Sequence, residues 1–262
     1  MAPQPPSRRG RQAGGPRSQA GGSRSQAAGS RNQASDNARF RSRGERNFEL
    51  PKLVTDELRA SSAEAPPRTR RSPLTLERRL GNAAMAYERD RYSDALSAIK
   101  PVLDAAPTSP AARELHGLIL YRMGRWRAAA KELREFHRLT GSFDQHPVIA
   151  DCERAMGHPA KVRELWDELR REGVDREVLV EGRLVMAGTL ADQGELSEAI
   201  DLLRSEAKSR KHADLSHLRQ WYALADLYEQ AGDLPRARDL FARVAHQAPD
   251  VLDAPERLAA LC

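Results

Sequence analysis

The sequence predicts an all-α, soluble protein in which a helical body follows a long disordered N-terminal tail. Of its 262 residues, 40% are hydrophobic, 31% are charged and only 5% are aromatic, which is typical of a polar helical protein. The segment 1–75 carries 15 basic and 6 acidic side chains, against 43 and 37 in the whole chain. A glycine also recurs at intervals of 33, 37 and 38 residues, at Gly124, Gly157, Gly194 and Gly232. These observations divide the chain into a basic tail, residues 1–75, and a repetitive body, residues 76–262.

The tail contains a seven-residue unit that begins at Arg17 and returns at Arg24 and Arg31. No apolar position recurs in this unit, and Gly, Ser and Gln bury too little surface to offset about 1–2 kcal/mol of backbone entropy per residue. We therefore expect the tail to be disordered. Its arginines would suit sequence-independent contact with nucleic acid, and the candidates are Arg8, Arg9, Arg11, Arg17, Arg24 and Arg31. The alternative is a linker that only keeps the protein soluble.

A short stretch near the end of the tail is more apolar than its surroundings. It spans residues 48–54 and includes Leu50, Pro51 and Leu53. One interpretation is a docking segment, with which the tail fills a groove of its own body. Protection from proteases around residues 48–56 would then be expected.

The last repeat of the body has the clearest pattern. It reads Trp221-x2-Leu224-Ala225-x2-Tyr228-x3-Gly232-x-Leu234-x2-Ala237-x3-Phe241-x2-Val244-x4-Pro249. This pattern resembles the tetratricopeptide repeat, a pair of antiparallel helices that stacks on its neighbours. Less complete copies lie upstream, so we expect five units that begin near residues 76, 110, 143, 180 and 218, followed by a short capping helix. The resemblance implies a right-handed α-α superhelix, a TPR-like solenoid with a concave inner surface.

Residue size explains how such helix pairs would pack. Small residues are predicted to let paired helices approach closely, and they are Gly117 with Ala129, Ala187 with Ala199, and Ala225 with Ala237. Large side chains are predicted to fill the remaining space, and they are Trp126, Trp166, Trp221, Tyr228 and Phe241. Neither helix of a unit can bury its apolar face alone, so the stack as a whole is expected to form the core.

No pattern in the sequence indicates catalysis. The chain has no phosphate-binding Gly-x4-Gly-Lys-Ser/Thr loop, no Gly-x-Ser-x-Gly elbow and no His-Glu-x2-His zinc pair. Cys152 and Cys262 cannot form a disulfide framework, and Cys152 is expected to be buried as a small apolar residue. No apolar run approaches the roughly 20 residues that span a bilayer, and no signal peptide is evident. We therefore expect a cytoplasmic, non-enzymatic protein without cofactor, metal or small-molecule substrate.

The resemblance also indicates where a partner would bind. In this family, inward-facing residues come from the first helix of each unit. Here they are Glu114, Leu118, Tyr121, Arg122, Asp151, Arg154, Leu184, Arg219, Tyr222, Asp226 and Glu229. A surface with aromatic, basic and acidic side chains suits a peptide or a partner helix. The predicted function is thus a protein-interaction scaffold, and the alternative is an RNA- or ribosome-associated factor that uses the arginine tail.

Overall fold

The computed structural model describes residues 50–64, 71–205, 213–249 and 252–261. Within these ranges the protein has twelve helices and no strand. They are α1 (Lys52–Ala63), α2 (Pro73–Glu88), α3 (Tyr92–Ala105), α4 (Pro110–Arg122), α5 (Trp126–Thr140), α6 (His146–Ala155), α7 (Pro159–Arg171), α8 (Arg176–Asp192), α9 (Leu196–Arg204), α10 (Leu215–Gln230), α11 (Leu234–Gln247) and α12 (Ala254–Ala260). The predicted all-α solenoid is confirmed.

Ten of these helices form five consecutive pairs, from α2 with α3 to α10 with α11. Each pair packs against the next, and α12 packs on α11 after the last pair. The pairs begin at Pro73, Pro110, His146, Arg176 and Leu215, which places each start within four residues of its expected position. Proline is found at the start of α2 and α4, where the missing N–H costs no helical hydrogen bond.

The turn inside each unit requires a residue with positive φ. In four units this residue is glycine, with φ between 70° and 82° at Gly124, Gly157, Gly194 and Gly232. Because glycine has no Cβ, it adopts this left-handed conformation without a steric penalty and ends the first helix. The first unit has Asp90 at this place with φ 57°, a conformation that aspartate tolerates better than most residues.

Close approach between helices depends on two other glycines. A Cβ on Gly117 would lie 2.5 Å from Leu133 Cδ2, so α4 and α5 meet here as the sequence predicts. A Cβ on Gly182 would lie 2.5 Å from Leu169 Cδ1, and this contact joins α8 to α7 of the preceding unit. The pattern of small residues within a unit does not predict this role of Gly182, because the contact lies between two units.

The core consists of two clusters of buried apolar residues, one centred on the first two units and one on the third to fifth units. The predicted large side chains Trp166, Trp221, Tyr228 and Phe241 are buried, whereas Trp126 is half-buried and packs edge-on against Tyr121 at 5.4 Å. Burial of such large aromatic side chains makes a major stabilising contribution to their units. Cys152 is also fully buried, as predicted.

The N-terminal boundary differs from the prediction of a disordered segment up to residue 75. Helix α1 lies inside that segment and packs against α2 and α4. Its apolar side chains Val54 and Leu58 are four residues apart and continue the spacing from Leu50, so one face of the helix meets the core. The basic composition of the tail obscured this short apolar face. Residues 1–49 and 65–70 lie outside the described residues.

A buried histidine makes the stability of the third unit sensitive to acid. His146 is 4% exposed and packs its ring against those of His137 and Phe143, with Glu168 Oε2 at 3.6 Å from its Nε2. Burial lowers the pKa of His146 to about 4, and electrostatic interactions with His137 and Arg134 lower it further. The imidazole is therefore neutral in the folded protein at neutral pH.

We expect the free energy of unfolding to fall by ~3 kcal/mol through His146 between about pH 7 and pH 4. The unfolded chain binds a proton below pH 6.5, whereas the folded chain resists it until about pH 4, so acid favours unfolding in this window. Denaturant unfolding at several pH values measures the effect. The variant His146→Phe is the control, since it keeps an aromatic ring without the titration. Parallel pH profiles for the two proteins would contradict the assignment.

Candidate functional site

The first helices of the units form a continuous row, which we call the inner face (α2, α4, α6, α8 and α10). Direct helix contacts join α2 to α4, α6 to α8 and α8 to α10, while hydrogen bonds link α4 to the start of the third unit. Among the described residues, the second helices form no comparable contacts with one another. Successive first helices therefore lie closer together than successive second helices. A stack curves toward the side on which its helices are closer, so the inner face is the concave side.

The predicted residues of the second unit are mostly buried in contacts with neighbouring units. Glu114 accepts a hydrogen bond from Gln145 Nε2 at 2.8 Å, and the Tyr121 hydroxyl donates to Asp151 Oδ2 at 2.6 Å. Arg122 pairs with Asp90 at 3.1 Å. These side chains therefore connect units, and their polar atoms are already engaged.

Leu118 is a correction to the predicted site. The resemblance places it on the inner face, but the side chain has no exposure and belongs to the same core cluster as Leu115 and Leu80. Neighbouring helices cover this side of the first and second units. A side chain that points inward from α4 therefore packs in the core and does not reach solvent. Leu118 is thus a core residue in this structure.

A buried arginine joins the third and fourth units. Arg154 pairs with Asp151 at 2.8 Å and with Asp192 at 2.8 Å, while its side chain is only 7% exposed. Burial opposes the charge of Arg154, but Asp151 and Asp192 outweigh it and raise the pKa of the guanidinium above its usual range. Arg154 is therefore permanently charged and holds α6 against α8.

The fifth unit repeats this arrangement with different residues. Arg219 donates to Glu181 of α8, and the side chains of both are buried. Burial raises the pKa of Glu181, and the nearby charge of Arg219 only partly offsets this. The Tyr222 hydroxyl donates to Asp253, just before α12.

Helix α12 follows the fifth unit and occupies the position that the first helix of a sixth unit would have. Its Arg257 pairs with Asp226 at 2.7 Å and with Glu229 at 2.5 Å, so these two predicted site residues are also paired. The guanidinium lies 4.9 Å from the centre of the Phe241 ring. The capping helix is thus held by charge as well as by the apolar contacts of Leu258 and Leu261.

These pairs share one spacing that the pattern of a single repeat does not reveal. Apart from Arg154 with Asp151 in the same helix, their partners are separated by 28 to 38 residues, which is about one repeat. The residues that the prediction missed are Asp90, Gln145, Glu181, Asp192, Asp253 and Arg257. Opposite charges at inward positions of successive units were the available signal. The pairs lock each unit to the next.

A different part of the inner face remains accessible, and we call it the α8 strip (Leu184, Gly188 and Ala191). Its members are spaced by four and three residues, so they share one side of α8, and all three are half-buried. A Cβ on Gly188 would meet only Arg154 Cδ and Nε at 3.8 Å, an ordinary contact that places the strip beside an inner-face residue. Leu184 is thus the predicted apolar site residue that keeps access to solvent.

Metal-ligating and reactive side chains are the other features of interest in the described part of the chain. Within it, no group of three or more His, Cys, Asp or Glu side chains is arranged to hold a metal ion. Burial raises the pKa of the Cys152 thiol, so this side chain stays protonated. No helix among these residues is long and apolar enough to cross a membrane. The predicted nucleic-acid contacts from Arg8 to Arg31 lie outside the described residues.

Comparison with known proteins gives a consistent result for the fold. A family model described as "Tetratricopeptide repeat" matches residues 80–140 and 184–251. TTC0263, a thermophilic TPR protein of Thermus thermophilus, is similar with a TM-score of 0.56 at 20% identity, over 71% of this chain and 98% of that chain. NprR, solved in complex with its cognate peptide NprX, is similar with a TM-score of 0.52 at 16% identity, over 79% of this chain and 63% of that chain. No curated protein sequence matches this chain.

Proposed function

Because this chain is a tetratricopeptide repeat protein, we propose that it is a non-enzymatic scaffold whose inner face binds a peptide or helix of a partner protein. The observation that carries this proposal is the α8 strip, the apolar part of the inner face that remains open between paired charges. NprR is a protein of the same fold class with a bound peptide, and this precedent supports a peptide as the class of partner.

The chemistry of the strip favours an apolar anchor residue of the partner. Leu184 and Ala191 supply apolar surface. Gly188 lies between them and has no side chain of its own, so it leaves a gap that is bordered by Arg154. The surrounding charges, Arg154 and Asp192, already pair with each other. An apolar side chain would therefore gain contact without disturbing a buried pair. Glu195 lies in the turn after α8 and pairs with Arg163 of α7.

Filling the strip is expected to abolish partner binding while the fold is retained. In Gly188→Trp, the indole would occupy the gap over Gly188. Glycine in a helix interior is less favourable than alanine by about 1 kcal/mol, so replacing it should not lower the stability of α8. We expect peptides selected from a displayed random library on the wild-type chain to lose about tenfold or more in affinity, as hot-spot blockage does. Fluorescence anisotropy with the selected peptides measures this loss.

The matched control is Ser197→Trp, which adds the same indole to an exposed position on α9, a second helix. It should leave the affinity of the selected peptides unchanged. Thermal melting followed by circular dichroism shows that both variants remain folded. Selected peptides that bind Gly188→Trp as well as wild type would place the binding surface elsewhere. A selection that yields no binder at all would contradict the scaffold function itself.

A further inference from the structure

We propose that α1 is a displaceable internal ligand of the inner face, and that the site beneath it accepts an amphipathic helix of a partner protein. This inference rests on the proposed scaffold function and names a partner class for a second part of the same face. The partner helix would carry large aliphatic residues at four-residue spacing and a small polar residue one turn beyond them. Helix α1 itself shows that such a helix fits.

Helix α1 lies against the inner face at its N-terminal end. Its main contacts are with α2 and α4, which are both first helices and therefore belong to the inner face. Leu58 has no exposed surface and joins the core cluster that includes Leu80 and Ala84 of α2. Helix α1 is thus laid along the concave side at its N-terminal end, where a bound helix would lie.

The contacts of α1 lie mainly on one side, where Leu58, Ser61 and Ser62 are buried, and Arg59 adds an ion pair with Glu77 of α2 at 3.0 Å. Leu58 is its fully buried apolar residue, Val54 is half-buried, and Leu53 is 71% exposed. Ser61 Oγ accepts hydrogen bonds from the backbone N–H of Thr108 at 3.0 Å and from its hydroxyl at 2.8 Å. A helix of 12 residues is marginal by itself in water, so α1 depends on these contacts with the body to stay helical. We expect its docked state to open more readily than the paired helices, because it is a single helix without a second helix of its own unit.

The connection to the body determines how α1 competes with a partner. Residues 64–72 join it to α2, and so short a tether keeps α1 at an effective concentration in the millimolar range beside its site. A free partner helix must displace it, so the apparent Kd of the partner is its intrinsic Kd divided by the fraction of chains in which the site is open. Weakening the docking of α1 should therefore increase the affinity of an added helix.

The test uses full-length chains and a fluorescein-labelled synthetic peptide of residues 48–64 as the probe. In Leu58→Asp, the internal α1 carries a charge in its buried position and should be released, so the probe should bind about tenfold or more tightly than to wild type. Leu53→Asp is the matched control, since it places the same charge on the exposed side of α1 and should behave like wild type. A probe peptide that itself carries Leu58→Asp should not bind.

Two results would overturn the inference. The first is a Leu58→Asp chain that stays folded by circular dichroism and binds the probe no better than wild type. The second comes from hydrogen exchange of the wild-type chain, in which we expect α1 to exchange about a hundredfold faster than α2 and α4. Equal protection would make α1 a fixed part of the core, and this holds even if Leu58→Asp fails to fold. Either failure leaves the scaffold function open, because Gly188→Trp tests that at the α8 strip.

Discussion

Replacing Arg154 with alanine is expected to lower the free energy of unfolding by about 3–5 kcal/mol, the cost of breaking a buried ion pair from one side. The change leaves the carboxylate of Asp151 in a site where it is only 8% exposed, with the Tyr121 hydroxyl as its remaining polar partner. It also removes the link from α6 to Asp192 of α8. Urea unfolding followed by circular dichroism measures the loss.

The control for this prediction is Asp192→Ala. Asp192 is 55% exposed, so its pairing with Arg154 is screened by water and should contribute at most about 1 kcal/mol. The contrast between the two variants isolates the effect of the buried carboxylate. If the two substitutions cost the same, Asp151 would not depend on Arg154, and the third and fourth units would be held together by apolar contacts alone.

Replacing Trp221 with alanine is expected to cost a similar amount, about 3–5 kcal/mol, because it empties the largest fully buried side-chain site of the structure. Trp221 lies at 1% exposure in the core cluster of the third to fifth units, together with Phe241. In a stack with contacts only between neighbours, the loss should appear first at the C-terminal end. Hydrogen exchange of α10 and α11 should increase well before that of α2 and α3.

Trp126→Ala provides the comparison for that substitution. Trp126 is half-buried at the start of α5, so its removal opens less of a cavity and exposes less new apolar surface. We expect roughly half the loss that Trp221→Ala causes or less, since the cost follows the buried area and the residual cavity. Equal losses in the two variants would mean that position in the repeat, and not burial, determines the contribution of a tryptophan.

The fold could be predicted from the sequence because residue size specifies how two helices of one unit meet. Gly117 against Leu133 is an example, since a helical glycine opposite a large aliphatic side chain lets the two helices approach closely. The burial of Trp221 and Phe241 follows from the same pattern. Both partners of such a contact lie within one repeat of about 35 residues, so the repeat pattern is sufficient to predict the contact.

The inner face was harder to predict because it depends on the angle between successive units. That angle decides whether an inward position meets solvent, as Leu184 does, or a neighbouring helix, as Leu118 does. The pairing of Tyr121 with Asp151 depends on it in the same way. The repeat pattern specifies each unit but carries no information on the rotation between units. Helix α1 escaped prediction for another reason, since its few apolar residues lie within a strongly basic segment.

The neutralised state of Arg154 bears on how this scaffold would choose among ligands. Its guanidinium borders the space above Gly188, yet two carboxylates already balance its charge. An incoming acidic residue would therefore meet little net attraction and would have to separate an existing pair. The gap over Gly188 would therefore select among the side chains of a ligand by their size and shape, and not by their charge.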